Sequence, residues 1–294
     1  MSTSPSALGF RRHRALRIGG SGRFGGNRSA VLGAALVVLV ALMAVVSLFW
    51  TPYPSDEMNL VGKFQGPSWQ HLAGTDEFGR DLFSRIMVGA QASLVISGLA
   101  VLLALIVGGT LAIICGYVGG IIDILVMRFA DLLLAIPALL VAIGVVAVLG
   151  PSGESVSIAL AAAYGPAFAR VIHSAVVAAR HQPYVEASSG LGARMPALLR
   201  KDILPNIMPI IIVQTTTSLA WGILDEANLG FLGLGVQPPN PSWGSLLIEG
   251  RTYFFEATWM PIGAGLAVVV AVFGFNMLGD GLRDVLDPRA WRRD

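Results

Sequence analysis

Residues 31–50 read VLGAALVVLVALMAVVSLFW and lie inside a charge-free run that extends over 29–55. A bilayer core about 30 Å thick is crossed by roughly 20 apolar residues in helical form, so this stretch is long enough to span a membrane. Working outward from it, charge-poor runs recur along the chain. Residues 86–122 carry no charge, with the densest part at 92–115, and further runs lie at 132–153, 152–172, 203–224 and 257–279. The fourth is flawed by Arg170 near one end. A further charge-free run, 227–248, holds Pro238, Pro239 and Pro241 and many glycines. Proline removes a backbone donor and breaks a helix, so this run reads as irregular. The expectation is an all-α integral membrane protein with six transmembrane helices.

The distribution of basic residues sets an expected orientation, because cytoplasmic loops carry the excess of Lys and Arg. Residues 1–28 hold six arginines and no acid. With six spans and the N-terminus inside, 15 basic residues fall on the cytoplasmic side, among them Arg128, Arg180, Arg194, Arg200, Lys201, Arg283 and Arg289. Four fall outside: Lys63, Arg80, Arg85 and Arg251. Arg170 is expected to snorkel to the inner face. Both termini are therefore expected in the cytoplasm. The first run is longer than the 7–15 apolar residues of a signal-peptide core and no A-x-A site follows, so a retained anchor is expected. The chain divides into a basic leader 1–28, a six-span domain 29–282 and a tail 283–294.

Composition narrows the function classes. Hydrophobic residues make up 54% and charged residues 13% of 294 positions, against about 25% charged in a soluble domain. Twenty basic residues stand against 18 acidic ones with no basic face, which disfavours nucleic acid as a partner and leaves membrane lipid. One cysteine, Cys115, excludes a disulfide scaffold. No HExxH pair and no GxxxxGK[ST] loop occur, so neither a zinc-hydrolase motif nor a phosphate loop is encoded. A GxGxxG at Gly20, Gly22 and Gly25 follows an Arg-rich leader rather than a strand, and reads as a flexible segment. Gly116 and Gly120 form a GxxxG that reads as the exit of a span into a loop. With no nucleophile or carboxylate pair in a catalytic setting, no catalytic, cofactor or metal site is expected.

Three segments stand out. Residues 180–206, RHQPYVEASSGLGARMPALLRKDILPN, form the longest polar stretch expected inside. A helix continuing from the fourth span to about Ser189, a left-handed turn at Gly192, and a short helix opened by Pro196 make a helix–turn–helix. Met195, Leu198 and Leu199 then offer an apolar face to a partner's groove or to the membrane surface. Residues 73–94, AGTDEFGRDLFSRIMVGAQASL, crowd Asp76, Glu77, Arg80, Asp81 and Arg85 around a turn at Gly79 and read as a locally paired loop. Residues 226–247, EANLGFLGLGVQPPNPSWGSLL, cannot form a regular span; at membrane depth such backbone is tolerated only inside protein or beside a cavity. That segment is expected to re-enter or cap the outer mouth, with Asp225, Glu226, Pro238, Pro239 and Trp243 as candidates for the path.

These residues carry a resemblance. Glu186 and Ala187, Gly192 six positions after Glu186, and Ile203 and Pro205 beyond it resemble the "EAA" loop of ABC-importer permeases; Ser188, Ser189 and Gly190 depart from the usual pattern. The segment 73–94 is similar to the GTDxxGRDxxSRxxxGxRxSL signature of C-type permeases of the dipeptide, oligopeptide and nickel group, with Gln91 in place of an arginine. Residues 226–243 resemble EASLSFLGLGVQPPxPSWG of the same proteins. The resemblance covers roughly 30–290. It implies a type I importer permease fold in a bacterial inner membrane, in which the loop 184–206 docks on a separate ATPase through Glu186, Ala187, Gly192, Met195, Leu198, Ile203 and Pro205. Its implied partners are a second, B-type permease, two ATP-binding subunits that hold the ATP and magnesium, and an extracytoplasmic solute-binding protein. The implied cargo is a di- or oligopeptide, with nickel as the alternative within the family. A secondary transporter or channel is the rival class; its ion coupling would need intramembrane ionisable groups, for which Asp131 and Glu226 are the candidates.

Overall fold

The computed structural model describes residues 27–286, and among these the regular structure is helical. The first helix, α1 (Arg28–Val46), opens at Asn27, whose side-chain oxygen accepts from the Ser29 and Ala30 amides. Helix α2 (Leu82–Val118) opens at Asp81 in the same way and carries a π-helical turn at Leu105–Gly109. Helices α3 (Gly120–Leu134) and α4 (Ala138–Leu149) follow, then α5 (Gly153–Arg180) and the short α6 (Pro183–Gly190). Helix α7 (Met195–Phe231) also contains a π-helical turn, at Leu199–Ile203, and α8 (Trp243–Thr252) and α9 (Trp259–Leu286) complete the order.

Helices α1, α2, α5, α7 and α9 are each long and apolar enough to cross a membrane. The third expected span differs from a straight helix over 132–153. It is the pair α3–α4, bent by 93° at the break before Pro137, and it begins twelve residues earlier, at Gly120. The residue before a proline is pushed out of helical geometry, which places the bend. The early start places the acids of α3 against α5: Asp131 pairs with Arg170 at 3.3 Å, and Asp123 lies 2.7 Å from His173 Nε2. Arg170 therefore has a fixed partner in the protein rather than only a reach toward the membrane surface. Gly119 and Gly120 both take positive φ, +71° and +81°, and form the turn between α2 and α3.

In lipid, helix association relies on close packing because tails are as apolar as the side chains, so small residues mark the seams. A Cβ on Gly33 of α1 would lie 2.4 Å from the Leu278 nitrogen of α9, and one on Gly281 would lie 2.4 Å from the Ala30 Cβ. Helix α1 is thus fastened to α9 backbone to backbone. Where α2 crosses α5, a Cβ on Gly108 would meet the Gly165 carbonyl oxygen at 2.3 Å. Two apolar clusters result. One gathers Ala100, Leu160, Phe168, Ile172, Leu198 and Ile203 from α2, α5 and α7. The other gathers Val40, Leu82, Ile223, Trp243, Leu246 and Met260 from α1, α2, α7, α8 and α9.

Candidate functional site

Chemistry-bearing residues gather at the two ends of the bundle. At the α6 end, α5 stops at Arg180 because Gln182 precedes Pro183 and is extended, with φ −77° and ψ 140°. The expected continuous helix to Ser189 is therefore two helices, α5 and α6. Gly192 follows with φ +85°, open space around its Cβ position, and the chain then enters α7 at Met195 with Pro196 in its first turn. The second short helix is not separate: it runs through the π-helical turn into the fifth span. Arg180 anchors the loop by donating to the Tyr117 carbonyl oxygen and stacking over the Tyr117 ring at 5.6 Å. The Asn206 amide donates to the Tyr184 hydroxyl at 2.7 Å.

The apolar face of this loop is disposed differently from the expectation. Leu198 is 1% exposed and Ile203 is fully enclosed; both belong to the chain's own core, packed with Val185. Met195 and Leu199 are half-buried. The apolar side chain offered outward is Leu191, 90% exposed beside Gly192. Glu186, Ala187 and Pro205 are exposed. Among the described residues Glu186 forms no ion pair, with Arg200 or any other cation.

At the α8 end, the segment before α2 closes into a charged knot. Asp76 accepts the amides of Phe78 and Arg80 at 2.9 Å and the Arg80 Nε at 2.6 Å. Asp81 accepts the Ser84 amide at 2.8 Å and contacts His71 Nδ1 at 2.9 Å. Arg85, enclosed at the start of α2, lies 3.6 Å from Asp76 and donates from Nη2 to both oxygens of Glu249 at 3.0 and 2.9 Å. Burial pushes the Glu77 and Glu249 carboxyls above their ordinary range, and for Glu249 the neighbouring Arg85 guanidinium opposes that shift without cancelling it. Glu249 is the member that sequence reading missed. Its signal was available: it ends the charge-free run 227–248 as Arg85 opens the run 86–122.

The segment 226–247 is irregular over a shorter range than expected. Residues 226–231 complete α7, residues 232–242 are non-helical with Gly233 at φ +79°, and α8 begins at Trp243. Ser242 and Ser245 form a reciprocal cap that starts α8. Trp243 is fully buried; its amide donates to Ser93 Oγ and its indole nitrogen to the Ile86 carbonyl oxygen, both at 3.1 Å. Glu226 is likewise fully buried. Neither side chain lines an open path in this conformation. Asp225 accepts from the Tyr164 hydroxyl at 2.6 Å, while Pro238 and Pro239 are exposed. Gly230 and Gly244 bring α7 and α8 into backbone contact, a Cβ on Gly230 falling 2.6 Å from the Gly244 Cα.

Residues 108–292 match the model of the family described as binding-protein-dependent transport system inner membrane component. The dipeptide transport system permease protein DppC of Alkalihalophilus pseudofirmus is 42% identical over 263 residues, covering 90% of this chain and 86% of that protein. DppC of Haemophilus influenzae is 37% identical, covering 90% and 91%. The glutathione transport system permease protein GsiD of Escherichia coli is 39% identical, covering 91% and 88%. Among solved structures, a chain of the MetNI methionine ABC transporter in an inward-facing conformation superposes with a TM-score of 0.57 at 17% identity, covering 69% of this chain and 97% of that one.

Proposed function

The chain belongs to the inner membrane components of binding-protein-dependent transport systems, and from that premise we propose that it is the C-type permease subunit of an ATP-driven importer of di- or oligopeptides. It is a multi-pass membrane protein and a non-catalytic subunit. The observation that carries the cargo assignment is the agreement, over nine-tenths of the chain, with permeases named for dipeptide transport.

Two ATP-binding subunits, a second permease and an extracytoplasmic binding protein complete the machine. The 15-to-4 partition of basic residues supports a cytoplasmic location for both termini and for the α6 end. The exposed loop at that end, with Glu186, Ala187, Gly192 and Pro205, docks on an ATPase; Leu191 is its apolar knob, and Leu198, Ile203 and Met195 hold the knob in place from within. The α8 end then faces outward, where residues 232–242 cap the mouth. Nucleotide-driven approach of the ATPases moves the docked loops, and the bundle rocks between two openings, each favoured by a different ligand state. The Asp131–Arg170 ion pair and the Asp123–His173 contact tie the bent third span to α5, so these helices move together.

The test is uptake in a strain whose only copy of this permease is on a plasmid. Labelled dialanine accumulates with the gene and not without it, whereas accumulation of labelled nickel alone would reassign the cargo.

A further inference from the structure

A groove of about 640 Å³ lies between α2, the first turns of α5 and the loop 232–242. That volume lies within the range of small-molecule sites, roughly 300–1,000 Å³. Its walls are mostly aliphatic, with Val95 and Leu99 of α2 among them, and four polar side chains converge on it: Gln91, Glu154, Ser157 and Asn240. Glu154 is the one charged group in the lining. Among the described residues it has no salt-bridge partner. Ser157 Oγ already donates to the Ile96 and Gly153 carbonyl oxygens, so toward a ligand it can only accept.

A carboxyl group and two amides are expensive against hydrocarbon, so this wall faces water or cargo rather than lipid. The N-terminus of α5 adds about half a positive charge, which one carboxylate in its first turn more than offsets. The groove is thus locally anionic, with no Lys or Arg to receive a carboxylate. We propose that this groove is a transit subsite for the N-terminal end of a peptide. Glu154 receives the terminal ammonium, Gln91 and Asn240 bind the first peptide groups, and the aliphatic wall takes side chains without strong preference. The C-terminal end meets no counter-charge here, so peptides of different length are accommodated. A lone carboxylate without histidine or thiol offers too few ligands for nickel. This inference rests on the peptide-importer reading and names the cargo-facing residues of that site.

The test uses the full complex with its binding protein in proteoliposomes, with labelled dialanine as probe and ATP hydrolysis read in parallel. Glu154→Gln is expected to lower peptide moved per ATP up to about fivefold, the upper end for a solvated ion pair. Glu154→Asp keeps the charge and stays within about twofold, while Glu154→Lys falls further than Glu154→Gln. Co-purification of the second permease and binding-protein-stimulated ATP hydrolysis are unchanged throughout. Wild-type coupling in both Glu154→Gln and Glu154→Lys would overturn the subsite. Loss of the second permease from the Glu154→Lys complex would also overturn it, because the groove would then be a subunit seam. A wild-type complex that hydrolyses ATP but moves no dialanine would overturn the importer reading instead.

Discussion

Arg85 Nη2 donates to both carboxylate oxygens of Glu249, at 3.0 and 2.9 Å, across 164 residues of sequence. The pair joins the first turn of α2 to α8, and so ties the loop before α2 to the helix that follows the non-helical residues 232–242. Removing the Arg85 guanidinium would leave Asp76, Glu77 and Glu249, with carboxylate oxygens within 4.8 Å of one another, to Arg80 alone. Breaking a buried pair from one side costs about 3–5 kcal/mol, and the partial exposure of Glu249 brings Arg85→Ala to the lower end, about 3 kcal/mol. A scan of the purified complex at neutral pH should show that loss, and Arg85→Lys should recover only part of it because a compact ammonium lacks the planar fork.

The same cluster has a pH signature. The Glu249 carboxyl is raised above its ordinary 4.5 by burial. A raised carboxylate contributes stability below its unfolded value, and that contribution is lost as pH rises through the folded value. Stability measured from about pH 4.5 upward should therefore fall in the wild type relative to Glu249→Gln, which does not titrate. A difference that grows in the opposite direction would show that pairing with Arg85 outweighs burial.

Helix seams predict sharply different glycine tolerances. Gly108→Ala forces a Cβ to within 2.3 Å of the Gly165 carbonyl oxygen, so α2 and α5 must separate. Gly98, on the same helix, has nothing within 4 Å of its Cβ position. Overpacking of this kind costs about 1–3 kcal/mol, whereas Gly98→Ala should gain about 0.8–1 kcal/mol from helix propensity. Thermal stability of the two variants side by side checks the crossing.

Topology follows from the basic partition. Reporters fused after Arg180 and after the last residue should both read cytoplasmic. A periplasmic reading at either would contradict the six-crossing arrangement in which the bent α3–α4 pair counts as one span.

Much of this arrangement was legible beforehand, and the limits have physical causes. Charge-free runs located five helices, because lipid tolerates few unpaired charges. They missed the start of α3 because Asp123 and Asp131 face partners on another helix, His173 and Arg170. Proline and glycine signals marked the left-handed Gly192 and the break at 232–242. Apolarity alone could not say which way Leu198 faces: it serves the core, and Leu191 takes the outward position. Trp243 read as a mouth residue from its proline-rich setting, yet its indole is enclosed through a hydrogen bond to Ile86, 157 positions away.

At the loop between α6 and α7, Gly192→Val meets no steric clash, so its whole cost is the backbone, about 1–2 kcal/mol for a Cβ at φ +85°. Gly192→Asn should be milder, since Asn visits that region more readily. The chain should insert normally in both. Leu191→Glu should weaken retention of the ATPases while leaving membrane insertion intact, and co-purification yields rank the three variants.

On the proposed function, this chain couples ATP hydrolysis by its partner subunits to inward peptide movement. The direct measurement is accumulation of labelled dialanine by proteoliposomes that hold the permease pair, the ATPases and the binding protein. Accumulation against a gradient should require ATP, persist when the ion gradients are collapsed, and drop severalfold in Gly192→Val with the second permease still bound. Accumulation driven by a proton gradient, with the ATPase subunits absent and no ATP added, would contradict the account and make the chain a secondary transporter.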